Sequence, residues 1–129
     1  MAKRKKKTPR QKIYKELDKA WQQRIVARDK ECMLCGGVIS CGHHIFPKSR
    51  GINTRWDLEN GIGVCVSCHY GIHDRTLSAE YNSRIQEVIG MERWNKIRKA
   101  SHIVVPYIPI EELKDKLKTL TFKRWRVTI

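Results

Sequence analysis

Residues 32–47 read CMLCGGVISCGHHIFP, and residues 60–73 read NGIGVCVSCHYGIH. Each stretch carries a Cys-x-x-Cys pair, Cys32 with Cys35 and Cys65 with Cys68. Four thiolates in two knuckles are the donor set of a closed, tetrahedral structural Zn²⁺ site. The plainer reading, two unrelated pairs of buried cysteines, explains neither spacing. Four of the chain's five histidines fall in the same stretches: His43 beside His44, and His69 four residues before His73. A helix beginning at the second knuckle puts His69 and His73 on one face, one turn apart, the spacing by which a helix offers one ion two imidazoles. On a strand, His43 and His44 point to opposite sides, so one can join that pair while the other addresses a different group. The fifth cysteine, Cys41, reads as a buried strand residue without a role, and His102 as a structural or exposed linker residue.

Around these stretches the chain predicts mostly helix. Thr8-Pro9-Arg10-Gln11 has the signature of a helix start, with Thr at the N-cap, Pro at N1 and Gln at N3. Ile13, Leu17, Trp21 and Ile25 then recur every four residues, an apolar stripe on a helix reaching about Asp29. The glycines after Cys35 suit a tight knuckle turn. Residues 38–46 are rich in β-branched and apolar residues and predict a strand or hairpin arm; residues 47–54 predict a loop, and a second short strand is expected near residues 62–64. Cys65 opens a helix reaching about Asp74, Ser78 caps another that ends at Gly90, and a third covers residues 91–100. An extended, proline-punctuated linker (101–109), a short charged helix (110–120) and a basic tail (121–129) follow. The expected organisation is a basic tail and helix over 1–30, a metal-bearing core over 31–77, and C-terminal helices with a basic tail over 78–129.

The 129 residues carry a net charge of +14, unevenly placed. Residues 1–30 hold 12 Lys/Arg against 3 Asp/Glu, residues 31–90 hold 5 against 6, and residues 91–129 hold 10 against 4. A neutral centre carrying the unusual residues is flanked by two basic ends, and that excess implies a polyanionic partner, nucleic acid before an anionic membrane. Lys3, Arg4, Lys5, Lys6 and Lys7 form the densest run and are the first candidates for phosphate contacts; residues 1–7 are expected to be disordered alone. No apolar run approaches the ~20 residues a membrane span needs. The basic N-terminus is followed by no apolar segment of a secretory signal, so an intracellular location and no disulfides are expected.

Cys32-x2-Cys35, Gly42-His43-His44-Ile45-Phe46-Pro47, Asn60, and Cys65-x2-Cys68-His69 with His73 together resemble the HNH endonucleases of the ββα-metal (His-Me finger) class. His44-Ile45-Phe46-Pro47 and Asn60-Gly61-Ile62-Gly63-Val64-Cys65 match the family core position for position, and Arg55-Trp56-Asp57-Leu58-Glu59-Asn60 is similar to a segment of phage recombination and HNH nucleases. The likeness covers residues 32–73, about a third of the chain. It implies an α+β fold: a small zinc-stapled, treble-clef-like ββα-metal core with flanking helices. It further implies a metal-dependent DNA endonuclease in which His44 is the general base that activates water. Asn60 would bond across the loop between the strands to hold His44, and Arg55, with Arg50 and Arg75 as weaker candidates, would clamp the phosphate. His43, His69 and His73 would hold one catalytic divalent ion, while Cys32, Cys35, Cys65 and Cys68 hold the structural Zn²⁺. The commoner family pattern has Asp where this chain has His43; three imidazoles resemble the nuclease colicins and favour Zn, Ni, Co or Mn over Mg. Asp74 is a possible oxygen ligand. The alternative is a non-catalytic zinc-finger module that only binds DNA.

Overall fold

The computed structural model describes residues 5–48, 52–105 and 107–121. The architecture is α+β: among the described residues, one two-stranded antiparallel sheet lies among helices. The first helix, α1 (Pro9–Asp29), begins as its sequence dictates. The Thr8 side chain accepts from the Gln11 amide at 3.2 Å, and the Gln11 side chain accepts from the Thr8 amide at 2.9 Å, closing a capping box. Leu17, Trp21 and Ile25 are wholly buried along its apolar stripe.

Strand β1 (Cys41–His44) pairs antiparallel with β2 (Gly61–Val64), with Cys41 opposite Val64 and His44 opposite Gly61. A bare two-stranded ribbon is marginal in water. Here side chains satisfy its outer backbone groups. Gln22 accepts from the Gly42 amide at 2.6 Å and donates to the Gly42 carbonyl at 2.9 Å. The Asp29 carboxylate accepts from the Gly63 amide at 2.7 Å, and Arg28 and Arg93 both donate to the Gly61 carbonyl at 2.8 Å. The strand period sorts the ribbon's faces. Gly42, His44 and Gly61 face α1, where a side chain at Gly61 would collide with Trp21 and Ile25. Cys41, His43, Ile62 and Val64 face the other way, toward α3 (Val66–His73).

The other helices among the described residues are α2 (Ile52–Arg55), α4 (Ser78–Ile89), α5 (Met91–Ser101) and α6 (Ile110–Thr121). A 3₁₀ turn, Leu58–Asn60, leads into β2. One core joins the first knuckle, the ribbon and α3–α5 through Ile45, Ile62, Val64, Ile72, Ile85 and Ile97. The second joins α1 to α6 through Leu17, Trp21, Ile25, Trp56, Leu113 and Leu120. The charged N- and C-terminal sections are therefore not two separate arms: their helices pack on each other, and Arg10 of α1 donates to the Ile108 carbonyl at 2.7 Å.

Three local expectations change. The strand predicted over 38–46 contracts to Cys41–His44, because Val38 is 88% exposed and Ile45, bonded to the Asn60 carbonyl at 2.9 Å, already lies in a bend. The loop predicted over 47–54 gives way to helix α2 from Ile52. Ser78 is the first helical residue of α4; Leu77 occupies the N-cap without a side-chain bond. Of the basic run, Lys3 and Arg4 lie outside the described residues, as do Arg50 and the tail 122–129, while Lys5, Lys6 and Lys7 are exposed.

Candidate metal centre

Four cysteine sulfurs converge at the junction of the first knuckle, β2 and α3, each within 4.8 Å of the others. The first knuckle closes on itself: the Cys32 amide donates to the Gly37 carbonyl at 2.9 Å and the Gly36 amide to the Cys32 carbonyl at 2.8 Å, with Gly36 at φ +77°. The second knuckle is the start of α3, where Cys65 is the N-cap and its sulfur accepts from the Cys68 amide at 3.3 Å. Cys35 and Cys65 sulfurs lie 3.6 Å apart. Zn–S bonds of about 2.3 Å in a tetrahedron separate sulfurs by about 3.8 Å, so the donor set could hold a structural metal such as zinc. The electrostatics agree. Burial works to raise the Cys32 thiol, but amides of Cys65, Cys35 and Leu34 outweigh it and bring it down to about 6. Burial and the three neighbouring sulfurs push Cys68 up. Without a cation these four sulfurs cannot all ionise; a divalent ion at their centre removes that conflict. Tyr81 of α4 packs against Gly71, where any side chain would collide with its ring, and so braces α3 from behind.

The second cluster lies on the ribbon face that meets α3. Ring nitrogens of His43, His69 and His73 lie within 4.8 Å of one another. His69 and His73 come from one face of α3, and their Nε2 atoms are 3.3 Å apart. Two ligands at about 2.0–2.1 Å on one tetrahedral ion sit about 3.3 Å apart, so these rings too could hold a metal ion. Burial first, then the neighbouring rings, brings His43 down to about 3, and burial followed by the charge of His73 also lowers His69; both shifts favour the neutral imidazole that a metal ligand must be. Asp74 does not join them: its Oδ1 accepts from the amide and the hydroxyl of Thr76 at 2.8 and 2.7 Å.

His44 lies on the opposite face of β1, stacked on Trp21 with ring centroids 3.8 Å apart and planes at 7°. Its Nε2 is 2.8 Å from the Arg55 carbonyl. A carbonyl only accepts, so Nε2 carries the proton and Nδ1 of the neutral ring is an acceptor. Burial lowers the His44 pKa, with the charges of Lys48 and Arg55 acting in the same direction. Arg55, expected from the family likeness to clamp a phosphate, has its guanidinium engaged elsewhere: Nε and Nη2 donate to the Asp18 carboxylate at 3.0 and 2.7 Å. Trp56 Nε1 donates to the same carboxylate at 2.9 Å. Arg55 thus meets His44 through its backbone, and Asp18 of α1 anchors the segment that carries that carbonyl. Arg75 is an exposed turn residue.

Asn60 is wholly buried and bridges the chain between the strands. Its Oδ1 accepts from the Phe46 amide at 2.8 Å, and its Nδ2 donates to the carbonyls of Phe46 and Thr54, both at 3.0 Å. It holds the residues that flank His44 and Arg55 without touching the His44 ring. Asp18, Trp21 and Cys41 were not singled out for this site by sequence. Only Cys41 had a local signal, since residues 41 and 43 share a strand face. No helix among the described residues is long and apolar enough to cross a membrane. Comparison with protein-family models, with characterised proteins and with solved structures gives no match to this chain.

Proposed function

We propose that this chain is a metal-dependent endonuclease of the HNH type, hydrolysing DNA phosphodiester bonds from a ββα-metal core inside the cell. The observation that carries the reading is the division of labour on one strand. His43 turns to two imidazoles one helical turn apart, and the next residue turns to a carbonyl that fixes its tautomer. A structural zinc needs only the cysteines, so a zinc-finger module that merely binds DNA leaves this histidine arrangement without a purpose.

A divalent ion seated on His43, His69 and His73 would supply Lewis acidity toward a phosphoryl oxygen and the leaving 3′ oxygen. The protein's own part is proton handling and positioning. His44 takes the proton of the attacking water at Nδ1, because Nε2 is already donating to Arg55. The same carbonyl steadies the imidazolium that forms, as an acceptor placed behind a catalytic histidine does. Stacking on Trp21 and the Arg55 bond leave the ring little freedom, which fixes the direction of proton transfer. The net charge of +14 supplies attraction to the DNA backbone, and the basic run Lys3, Arg4, Lys5, Lys6, Lys7 adds phosphate contacts.

The test is incubation of the purified, zinc-loaded protein with plasmid, branched and single-stranded DNA across Mg²⁺, Mn²⁺, Co²⁺, Ni²⁺ and Zn²⁺. Cutting that requires an added divalent ion and stops with chelator is expected. Salt-dependent binding with no cutting under any metal would mean a DNA-binding module instead.

A further inference from the structure

We propose that Cys41 is the positioning residue of the three-histidine site, holding His69 by accepting a hydrogen bond from its Nδ1–H. The assignment rests on reading His43, His69 and His73 as an ion site. It does not require that the site cut DNA.

The geometry comes from both ring edges of His69. Its Nε2 lies 3.3 Å from His73 Nε2, which makes Nε2 the ligand atom. Its Nδ1, the other ring nitrogen, lies 3.6 Å from the Cys41 sulfur, within reach of an N–H···S bond. Strand geometry explains the meeting. Cys41 and His43 are two residues apart on β1 and share the face that α3 packs against, so one strand face supplies a ligand and the support for a ligand from another element. The convergent donor set contains the three histidines and not Cys41, so the sulfur stands outside the ion's own coordination.

A metal-bound imidazole whose other nitrogen is a proton donor needs an acceptor to fix its tautomer and its rotation. Carboxylates and carbonyls usually fill that place. Here Asp74, the nearest acidic residue in sequence to the ligand helix, is committed to Thr76, and a thiol takes the position. A neutral sulfur acceptor leaves the charge of the bound cation undiminished, which suits a site meant to attract a phosphate.

The test is titration of the zinc-loaded protein with Co²⁺, followed calorimetrically and by absorbance, for the wild type, Cys41→Ser and Cys41→Val. Cys41→Val should weaken the second, histidine-bound cobalt by about 10–100-fold, the usual consequence of losing an outer partner. Cys41→Ser, which keeps an acceptor, should stay closer to the wild type, and without added cobalt both variants should melt as the wild type does. ¹⁵N NMR of the wild type with diamagnetic Zn²⁺ in both sites gives a check that needs no variant: His69 should show a protonated Nδ1 and a metal-bound Nε2. Wild-type affinity in Cys41→Val, ligation of His69 through Nδ1, or a thiolate-to-cobalt charge-transfer band that disappears in Cys41→Ser would each overturn the assignment. So would a wild-type protein that takes up no ion beyond the cysteine cluster. A second ion that depends on Cys41 but supports no DNA cutting would leave the assignment standing and remove the nuclease reading instead.

Discussion

Asn60 and Asp18 show how single side chains hold the region around His44. Asn60 uses both ends of its amide on the backbone of Phe46 and Thr54, and it does so without contact with water. Removing it strands the buried Phe46 amide and carbonyl, while the Thr54 carbonyl keeps only the Asp57 amide, at 3.2 Å. Asn60→Ala should therefore cost about 2–4 kcal/mol in denaturant unfolding, well above the few tenths typical of an exposed turn residue. A loss under half a kcal/mol would reduce Asn60-Gly61 to an ordinary turn. Asp18 makes a prediction in pH. Burial works to raise its pKa, but the Arg55 and Trp56 donors outweigh burial and the net shift is downward. A carboxylate depressed by folding stabilises fully above its unfolded value of about 3.9, and that contribution disappears as pH falls through the lower folded value. Asp18→Asn should thus be less stable than the wild type by a constant amount near neutrality, and the two unfolding curves should converge below about pH 4. A gap that persists or widens in acid would mean the charge of Asp18 is not what holds Arg55.

At the scale of elements, the contact between α1 and the ribbon decides the geometry. Glycines on one ribbon face let Trp21 approach closely enough to stack on His44. Gly61→Val should overpack this contact, cost about 1–3 kcal/mol and disturb the near-ultraviolet dichroism of the tryptophans. Unchanged stability and dichroism would mean that α1 is not seated on this face. This contact also marks the limit of what the sequence made legible. The start of α1, a short second strand near residues 62–64, and the run of α3 from Cys65 were all readable, because caps, knuckles and four-residue spacing are local signals. The length of β1 was not, since a strand extends only as far as its partner and β2 offers four residues. The pairing of Asp18 with Arg55 was hidden for the same reason: the two lie 37 positions apart. Within the site, the histidine cluster was legible from two periods, 2 for a strand and 3.6 for a helix. The orientation of His44 was not, because it comes from α1 and from a backbone carbonyl.

For the molecule as a whole, 129 residues divided between two cores leave little apolar burial for each, and a metal staple is a common remedy. The cysteine cluster joins the first knuckle to β2 and α3; α3 also carries His69 and His73, and β2 pairs with the strand that carries His43 and His44. Cys68→Ser should release zinc and lower the melting temperature sharply or cause aggregation, because in small domains structural zinc is folding free energy. Wild-type melting without zinc would remove the staple. Helix α1 packs on both the ribbon and α6, so the basic N-terminal helix belongs to the same body as the strand that carries His43. Whether that body cuts DNA as proposed rests on the separation of base from ligands. The most direct measurement is metal titration of folded His43→Ala, His44→Ala, His69→Ala and His73→Ala beside their single-turnover cutting rates at saturating metal. His44→Ala should lose about 10²–10⁴ in rate while keeping its ion, as expected for a general base, and the other three should lose the ion. If His44→Ala lost the ion while His43→Ala kept it, the two roles would have to be exchanged, and if all four cut like the wild type, the histidines would not be the site of the chemistry.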